Sequence, residues 1–164
     1  VLELATGTGL IAKNIVNAAA HIEATDVSAE MIAEAKRDNR SAKLHFSVQD
    51  MFCLPYADNS FDAVIVSNAL HIVPQPEKAL WETRRVLKDD GVLIAPTFTH
   101  AGNPFFGKVR AFFMKLAGFP LHSRWTSEGY LSFLRQNGWA VRKSVVLKAS
   151  FPLTYAECTK SEVR

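Results

Sequence analysis

The chain opens on Val1-Leu2-Glu3-Leu4 and runs at once into Ala5-Thr6-Gly7-Thr8-Gly9-Leu10. A short apolar run, a glycine turn and then Ile11, Ile15 and Ala18 at helical spacing read as strand, tight turn and helix. Gly7 and Gly9 carry no Cβ, so the backbone can turn sharply there and approach a ligand closely. No other feature constrains the fold as much, because a strand that passes through a tight turn into a helix begins a parallel β-α-β unit.

The same alternation continues. Residues 1–4, 21–25, 44–48, 63–66 and 92–96 are the expected strands. Ala63-Val64-Ile65-Val66 is continuously apolar, as in a strand covered on both faces. Helices are expected over 8–19, over 28–38 behind a Ser28 cap, and from Pro74 or Pro76 to about Lys88. Ala79, Leu80, Thr83, Val86 and Leu87 give the last of these an inward face, and Asp89-Asp90-Gly91 is expected to end it. Thr126 or Ser127 caps a further helix that stops at Asn137-Gly138. Residues 139–148 and 151–159 read as a closing antiparallel pair.

Strands alternating with helices imply an α/β fold. The expectation is a doubly wound, mainly parallel seven-stranded sheet, Rossmann-like, with helices on both faces and a C-terminal antiparallel strand pair. One domain over residues 1–164 accommodates it, with residues 103–122 as a Phe-rich insertion. Right-handed crossovers then put the ligand crevice at the carboxyl ends of the strands, at residues 5–9, 26–28, 50–52, 67–71 and 96–100.

Bulk properties exclude several roles. A chain of 164 residues with 48% hydrophobic and 21% charged residues suits one soluble domain. The net charge of +3 is not gathered into a Lys/Arg run, so no nucleic-acid partner is expected. Cys53 and Cys158 form no C-x-x-C pair, which leaves no zinc or redox motif, and no metal site is expected. A reduced, cytoplasmic setting is the default. No apolar run approaches the roughly 18 residues of a membrane span. A domain seldom starts on a central strand, so a segment N-terminal to Val1 is expected.

Gly7-Thr8-Gly9-Leu10-Ile11-Ala12 fits G-x-G-x-x-G/A, the dinucleotide-binding fingerprint, a weak match taken alone. Asp26 follows Gly9 by 17 positions, close to the roughly 20-residue spacing of a ribose-binding acid. An ordinary structural turn with an acid near the next helix is the competing interpretation.

Gln49-Asp50-Met51 follows the third strand, and Asn59-Ser60-Phe61-Asp62 precedes the fourth. With Glu3–Gly9 and Arg85-Val86-Leu87-Lys88-Asp89-Asp90-Gly91-Val92-Leu93, these segments resemble the class I S-adenosylmethionine-dependent methyltransferases. Within that family they are similar to the small-molecule branch that includes the quinone-biosynthesis methyltransferases. The resemblance extends from Val1 to about Phe151.

The resemblance implies S-adenosylmethionine as cofactor and assigns roles. Glu3 orders the glycine loop and lies near the cofactor's amino group. Ala5, Gly7 and Gly9 form the loop beneath the methionine part and the ribose. Asp26 binds the ribose, and Val27 and Met31 flank the adenine. Asp50 hydrogen-bonds the adenine amino group, with Met51 and Phe52 nearby. Ser67 and Asn68 face the reactive centre. The departure is Ala5, where most members carry glycine; alanine is tolerated there if φ is negative. Acids at 3, 26 and 50 also suit an ammonium, a diol and an exocyclic amine better than a pyrophosphate.

His71 and His100 follow the fourth and fifth strands, and either could serve as general base on an acceptor. Local packing is the competing role for both, because a nucleophile held in line gains most of its acceleration from positioning. The segment 103–122 carries Phe105, Phe106, Val109, Phe112, Phe113, Leu116 and Phe119 with Lys108, Arg110 and Lys115 between them. It could roof an apolar acceptor pocket or cover the core. Membrane contact is the least expected of its roles.

The expected partner is therefore a small-molecule methyl acceptor, methylated on O, N or C, with the oligomeric state open. An NAD(P)-dependent oxidoreductase and a non-catalytic interaction module are the rival readings.

Overall fold

The computed structural model of the protein describes residues 1–99, 123, 125–147 and 152–162. Eight strands form one sheet: β1 (Leu2–Leu4), β2 (Ile22–Asp26), β3 (Leu44–Val48), β4 (Phe61–Val66), β5 (Leu87–Ile94), β6 (Thr97–Phe98), β7 (Trp139–Leu147) and β8 (Leu153–Lys160). Among the described residues the helices are α1 (Leu10–Ile15), α2 (Ala29–Arg37), α3 (Pro76–Val86) and α4 (Ser127–Gln136), and a 3₁₀ turn at Val16–Ala18 extends α1. The strand order is β3-β2-β1-β4-β5-β8-β6, with β7 also paired to β8. β3, β2, β1, β4 and β5 are parallel, and β8 is antiparallel to β5, β6 and β7. This is the expected doubly wound α/β sheet with its C-terminal antiparallel pair.

The strand count exceeds the expected seven because Pro96 interrupts the fifth strand. Pro96 has no amide to donate, yet Thr97 and Phe98 pair with β8 just beyond it. The end of α3 also differs. The helix stops at Val86, and Leu87 is already extended at φ −76° and ψ 139°. Leu87 sits opposite Phe61 while Val92 sits opposite Ala63, so Lys88–Gly91 bulge out of the ladder. Asp89-Asp90-Gly91 thus lies inside β5 rather than closing the helix.

Two apolar clusters sandwich the sheet. Ala12 of α1, Ile32 and Ala35 of α2, Ile22 and Ala24 of β2, and Leu44 and Phe46 of β3 form the smaller one. Leu2 and Leu4 of β1 join Val64, Val66, Leu80, Leu93, Tyr130, Leu134 and Trp139 in the larger. Side chains alternate across a strand, so Glu3, between Leu2 and Leu4, turns toward α1. The expected caps are in place: Ser28 accepts the Met31 amide at 3.1 Å and Thr126 that of Gly129 at 3.1 Å. The Tyr130 hydroxyl donates to the Ala95 carbonyl at 2.7 Å and fixes α4 against the end of β5.

Candidate cofactor site

The loop after β1 is held from below by one buried carboxylate. Glu3 is 2% exposed. Its Oε2 accepts the Thr6 hydroxyl at 2.8 Å and the Ala12 amide at 3.0 Å. One side chain thus joins the start of the loop to the first turn of α1. Burial pushes the Glu3 carboxyl up to about 6, and the two hydrogen bonds oppose that rise.

From the side, the loop is held by β2. The Thr6 amide donates to the Thr25 carbonyl at 2.9 Å. The Gly7 amide donates to Asp26 Oδ2 at 2.8 Å, while Asp26 Oδ1 accepts the Ser28 amide at 3.0 Å. Asp26 is half-buried, at the carboxyl end of β2. The Gln49 amide donates to the Asp26 carbonyl at 3.0 Å and brings the turn after β3 alongside.

The two glycines do different work. A Cβ on Gly9 (φ 78°) would come within 2.6 Å of the Phe46 ring, so Gly9 permits α1 to pack on β3. A Cβ on Gly7 (φ 56°) would meet no atom of the described residues within 4 Å. Gly7 therefore opens onto free space, a cradle in which a ligand can lie against bare backbone. Ala5 has φ 53°, left-handed rather than negative as its tolerance required. The fold holds an alanine in strained backbone beside the cradle.

Other expected residues line the same end of the sheet. Val27 and Met31 are 74% and 44% exposed, apolar surface left open beside Asp26. Asp50 is exposed, and its Oδ1 accepts the Phe52 amide at 2.9 Å. Met51 and Phe52 are half-buried against the larger core. Leu4 and Val66 are register partners, so the loops after β1 and β4 leave the sheet side by side. Asn68 follows Ser67 there at φ 53°, with its amide donating to the Pro96 carbonyl at 2.8 Å. Among the described residues, Asn68 Oδ1 is buried without a hydrogen-bond partner, an unused acceptor at the strand end.

His71 is buried, with Nδ1 2.9 Å from Thr97 Oγ1 and its ring edge-on to Phe98 at 6.0 Å. His100 and the segment 103–122 lie outside the described residues. Among the described residues no acidic, histidine or cysteine group could hold a metal, and no helix is long and apolar enough to cross a membrane. Glu82 of α3 drew no notice in the sequence, and Arg85 entered only as part of a family motif, although both bond the loop after β3. Their i, i+3 spacing with opposite charge was the available signal.

A mainly parallel sheet with a glycine cradle after its first strand and a carboxylate at the next strand end is the arrangement that suits a nucleoside cofactor. Comparison with known proteins narrows it. The sequence profile of the methyltransferase domain family matches residues 2–95, and the chain belongs to that family. It is 41% identical over 110 residues to a demethylmenaquinone methyltransferase of Renibacterium salmoninarum, a match covering 67% of this chain and 44% of that protein. It is 37% identical over 118 residues to the ubiquinone/menaquinone biosynthesis C-methyltransferase of Bdellovibrio bacteriovorus, covering 69% of this chain and 50% of that protein. The chain thus spans about half the length of these curated relatives. A solved S-adenosylmethionine-dependent methyltransferase of Methanosarcina mazei shares the fold, with TM-score 0.80, 17% identity, and coverage of 98% of this chain and 91% of that one.

Proposed function

We propose that this chain forms the S-adenosylmethionine-binding domain of a methyltransferase acting on a small, apolar, quinone-like acceptor. The observation that carries the reading is the cradle above Gly7, bounded by Asp26 and backed by the buried Glu3. The quinone-biosynthesis relatives supply the acceptor class.

The loop favours this cofactor over a nicotinamide dinucleotide. A pyrophosphate is ordinarily bound by the free amides at a helix N-terminus. Here the Ala12 amide in the first turn of α1 already donates to a carboxylate. A second anion at that place would meet the Glu3 carboxylate behind the turn.

Bound S-adenosylmethionine supplies an electrophilic methyl group on a sulfonium. The chain's own residues hold and orient. Asp26 keeps a lone pair on each oxygen beyond its two backbone bonds, which suits a ribose diol. Val27 and Met31 offer apolar contact for a ring, and Asp50 offers an acceptor for an exocyclic amine. Asn68 Oδ1 offers a dry acceptor at the strand end where an acceptor molecule would be positioned. His71, oriented by Thr97, is the candidate base among the described residues. His100 keeps its candidacy by sequence position alone.

Calorimetric titration of the full chain with S-adenosylhomocysteine, and separately with NAD, tests the cofactor. Binding of the first and none of the second is expected; the reverse defeats the proposal. Mass spectrometry of a reduced demethylquinone incubated with S-adenosylmethionine then tests the acceptor. His71→Gln should leave a methylation rate within about tenfold of the parent if positioning dominates, and a loss of 10²-fold or more assigns His71 as base.

A further inference from the structure

We propose that α3 acts as a splint for the loop after β3, with Glu82 and Arg85 as positioning residues for the adenine side of the cofactor site. This rests on the cofactor reading above. Lys78, Glu82 and Arg85 stand at i, i+4 and i+7 and so share one face of α3. That face follows the loop from one end to the other. Lys78 Nζ lies 5.7 Å from the Phe52 ring centre. Glu82 Oε1 accepts the Leu54 amide at 2.9 Å. Arg85 Nη2 donates to the Leu54 carbonyl at 3.0 Å, and Nη1 donates to the Tyr56 carbonyl at 2.7 Å and to Asp58 Oδ1 at 2.8 Å.

The two side chains also fix each other. Arg85 Nε and Nη2 donate to the two Glu82 oxygens at 3.0 and 2.6 Å, a two-pronged pair. Both backbone groups of Leu54 are therefore held by a rigid unit anchored on a helix. Four residues upstream stands Asp50, and Met51 and Phe52 lie between. No strand or helix spans residues 49–60; the Gln49 bond to Asp26 anchors one side of Asp50–Phe52, and the α3 pair anchors the other.

Fold stability alone does not call for this arrangement. Glu82 is 5% exposed, and apolar residues can replace a buried ion pair at little cost or with a gain. What apolar residues cannot do is receive one amide and donate to two carbonyls of a loop. Arg85 holds the Glu82 carboxyl below the usual range, so the pair stays ionised at neutral pH. The planar guanidinium fork matters here, since lysine offers a point charge without it.

The test compares Arg85→Lys and Glu82→Gln with Val86→Ala, a core variant on the inward face of α3, all in the full chain. Binding of S-adenosylhomocysteine and of methylthioadenosine, which keeps the adenine and lacks the amino acid, is measured by calorimetry. Amide exchange of residues 52–54 is measured without ligand. The splint predicts that both ligands weaken by about tenfold or more in the first two variants, and that exchange at 52–54 accelerates. It predicts parent affinity for Val86→Ala despite a lower melting temperature. Equal affinities in all three variants, or unchanged exchange at 52–54 in Arg85→Lys, overturn it. A parent chain that binds neither ligand defeats the cofactor reading instead, and the exchange experiment still decides whether α3 holds the loop.

Discussion

The Asp26 carboxylate accepts the Gly7 amide at 2.8 Å and so ties the end of β2 to the glycine turn after β1. The acid that would bind a ribose also sets the shape of the cradle beneath it. Its other oxygen is occupied by Ser28 at the start of α2. Asp26→Ala removes both bonds and the charge together. Binding of S-adenosylhomocysteine should weaken by about 1.5–3 kcal/mol, the cost of a lost hydrogen bond to a charged group. Asp26→Asn keeps an acceptor for Gly7 and should lose less. Calorimetry on the two variants ranks them, and equal losses would mean that the backbone bond contributes nothing.

Ala5 at φ 53° gives a stability prediction of opposite sign to most substitutions. Left-handed backbone costs an L-residue about 1–2 kcal/mol. Glycine removes that strain but adds about 0.4–1 kcal/mol of chain entropy in the unfolded state. Ala5→Gly should therefore stabilise the fold by about 0.5–1 kcal/mol. Ala5→Val should destabilise it, because a β-branched side chain tolerates positive φ least. Urea denaturation measures both, and a destabilised Ala5→Gly would show that the strain is relieved elsewhere.

Features decided within a few residues were legible in the sequence, and features decided across the chain were not. The glycine turn, the Ser28 and Thr126 caps and the Asn137-Gly138 stop depend on neighbours at most four residues away. The end of α3 depends on Leu87 pairing with Phe61. The strand after Pro96 depends on Leu153 and Thr154 of β8. Glycine at positions 7 and 9 looked equivalent in the motif, yet Phe46 alone distinguishes them. Nothing in the spacing of Glu82 and Arg85 shows that Leu54 and Tyr56 are brought against them. The candidate residues at the ends of the first four strands were named from the sequence, and the bonds from α3 to the loop after β3 were not.

Glu3 links stability to pH with a definite sign. Burial raises its carboxyl from 4.5 to about 6 in the folded chain. A raised acid favours folding most where it is protonated, so its contribution is complete below about pH 4.5. That contribution is lost as pH rises through 6. Glu3→Gln keeps an oxygen for the Ala12 amide and carries no charge to desolvate. The variant should match the parent at pH 4 and exceed it by about 2 kcal/mol at pH 7, from 1.36 kcal/mol per unit. Urea denaturation across that range checks it. A constant difference at every pH would show that the Glu3 charge is not desolvated in the fold.

Gly7→Ala and Gly9→Ala should separate binding from folding. Both carry positive φ and both lose about 1 kcal/mol or more to backbone strain. Beyond that, the Gly9 methyl would sit 2.6 Å from Phe46, a buried β3 ring packed with α1 and α2. Overpacking of this kind costs about 1–3 kcal/mol further. Gly9→Ala should therefore melt well below Gly7→Ala, and Phe46→Leu in the Gly9→Ala background should recover part of the loss. The Gly7 methyl meets no atom of the described residues and points into the cradle instead. Gly7→Ala should stay folded while its affinity for S-adenosylhomocysteine falls at least tenfold. Thermal melts paired with calorimetry read both effects, and full affinity in Gly7→Ala would place the ligand away from this loop.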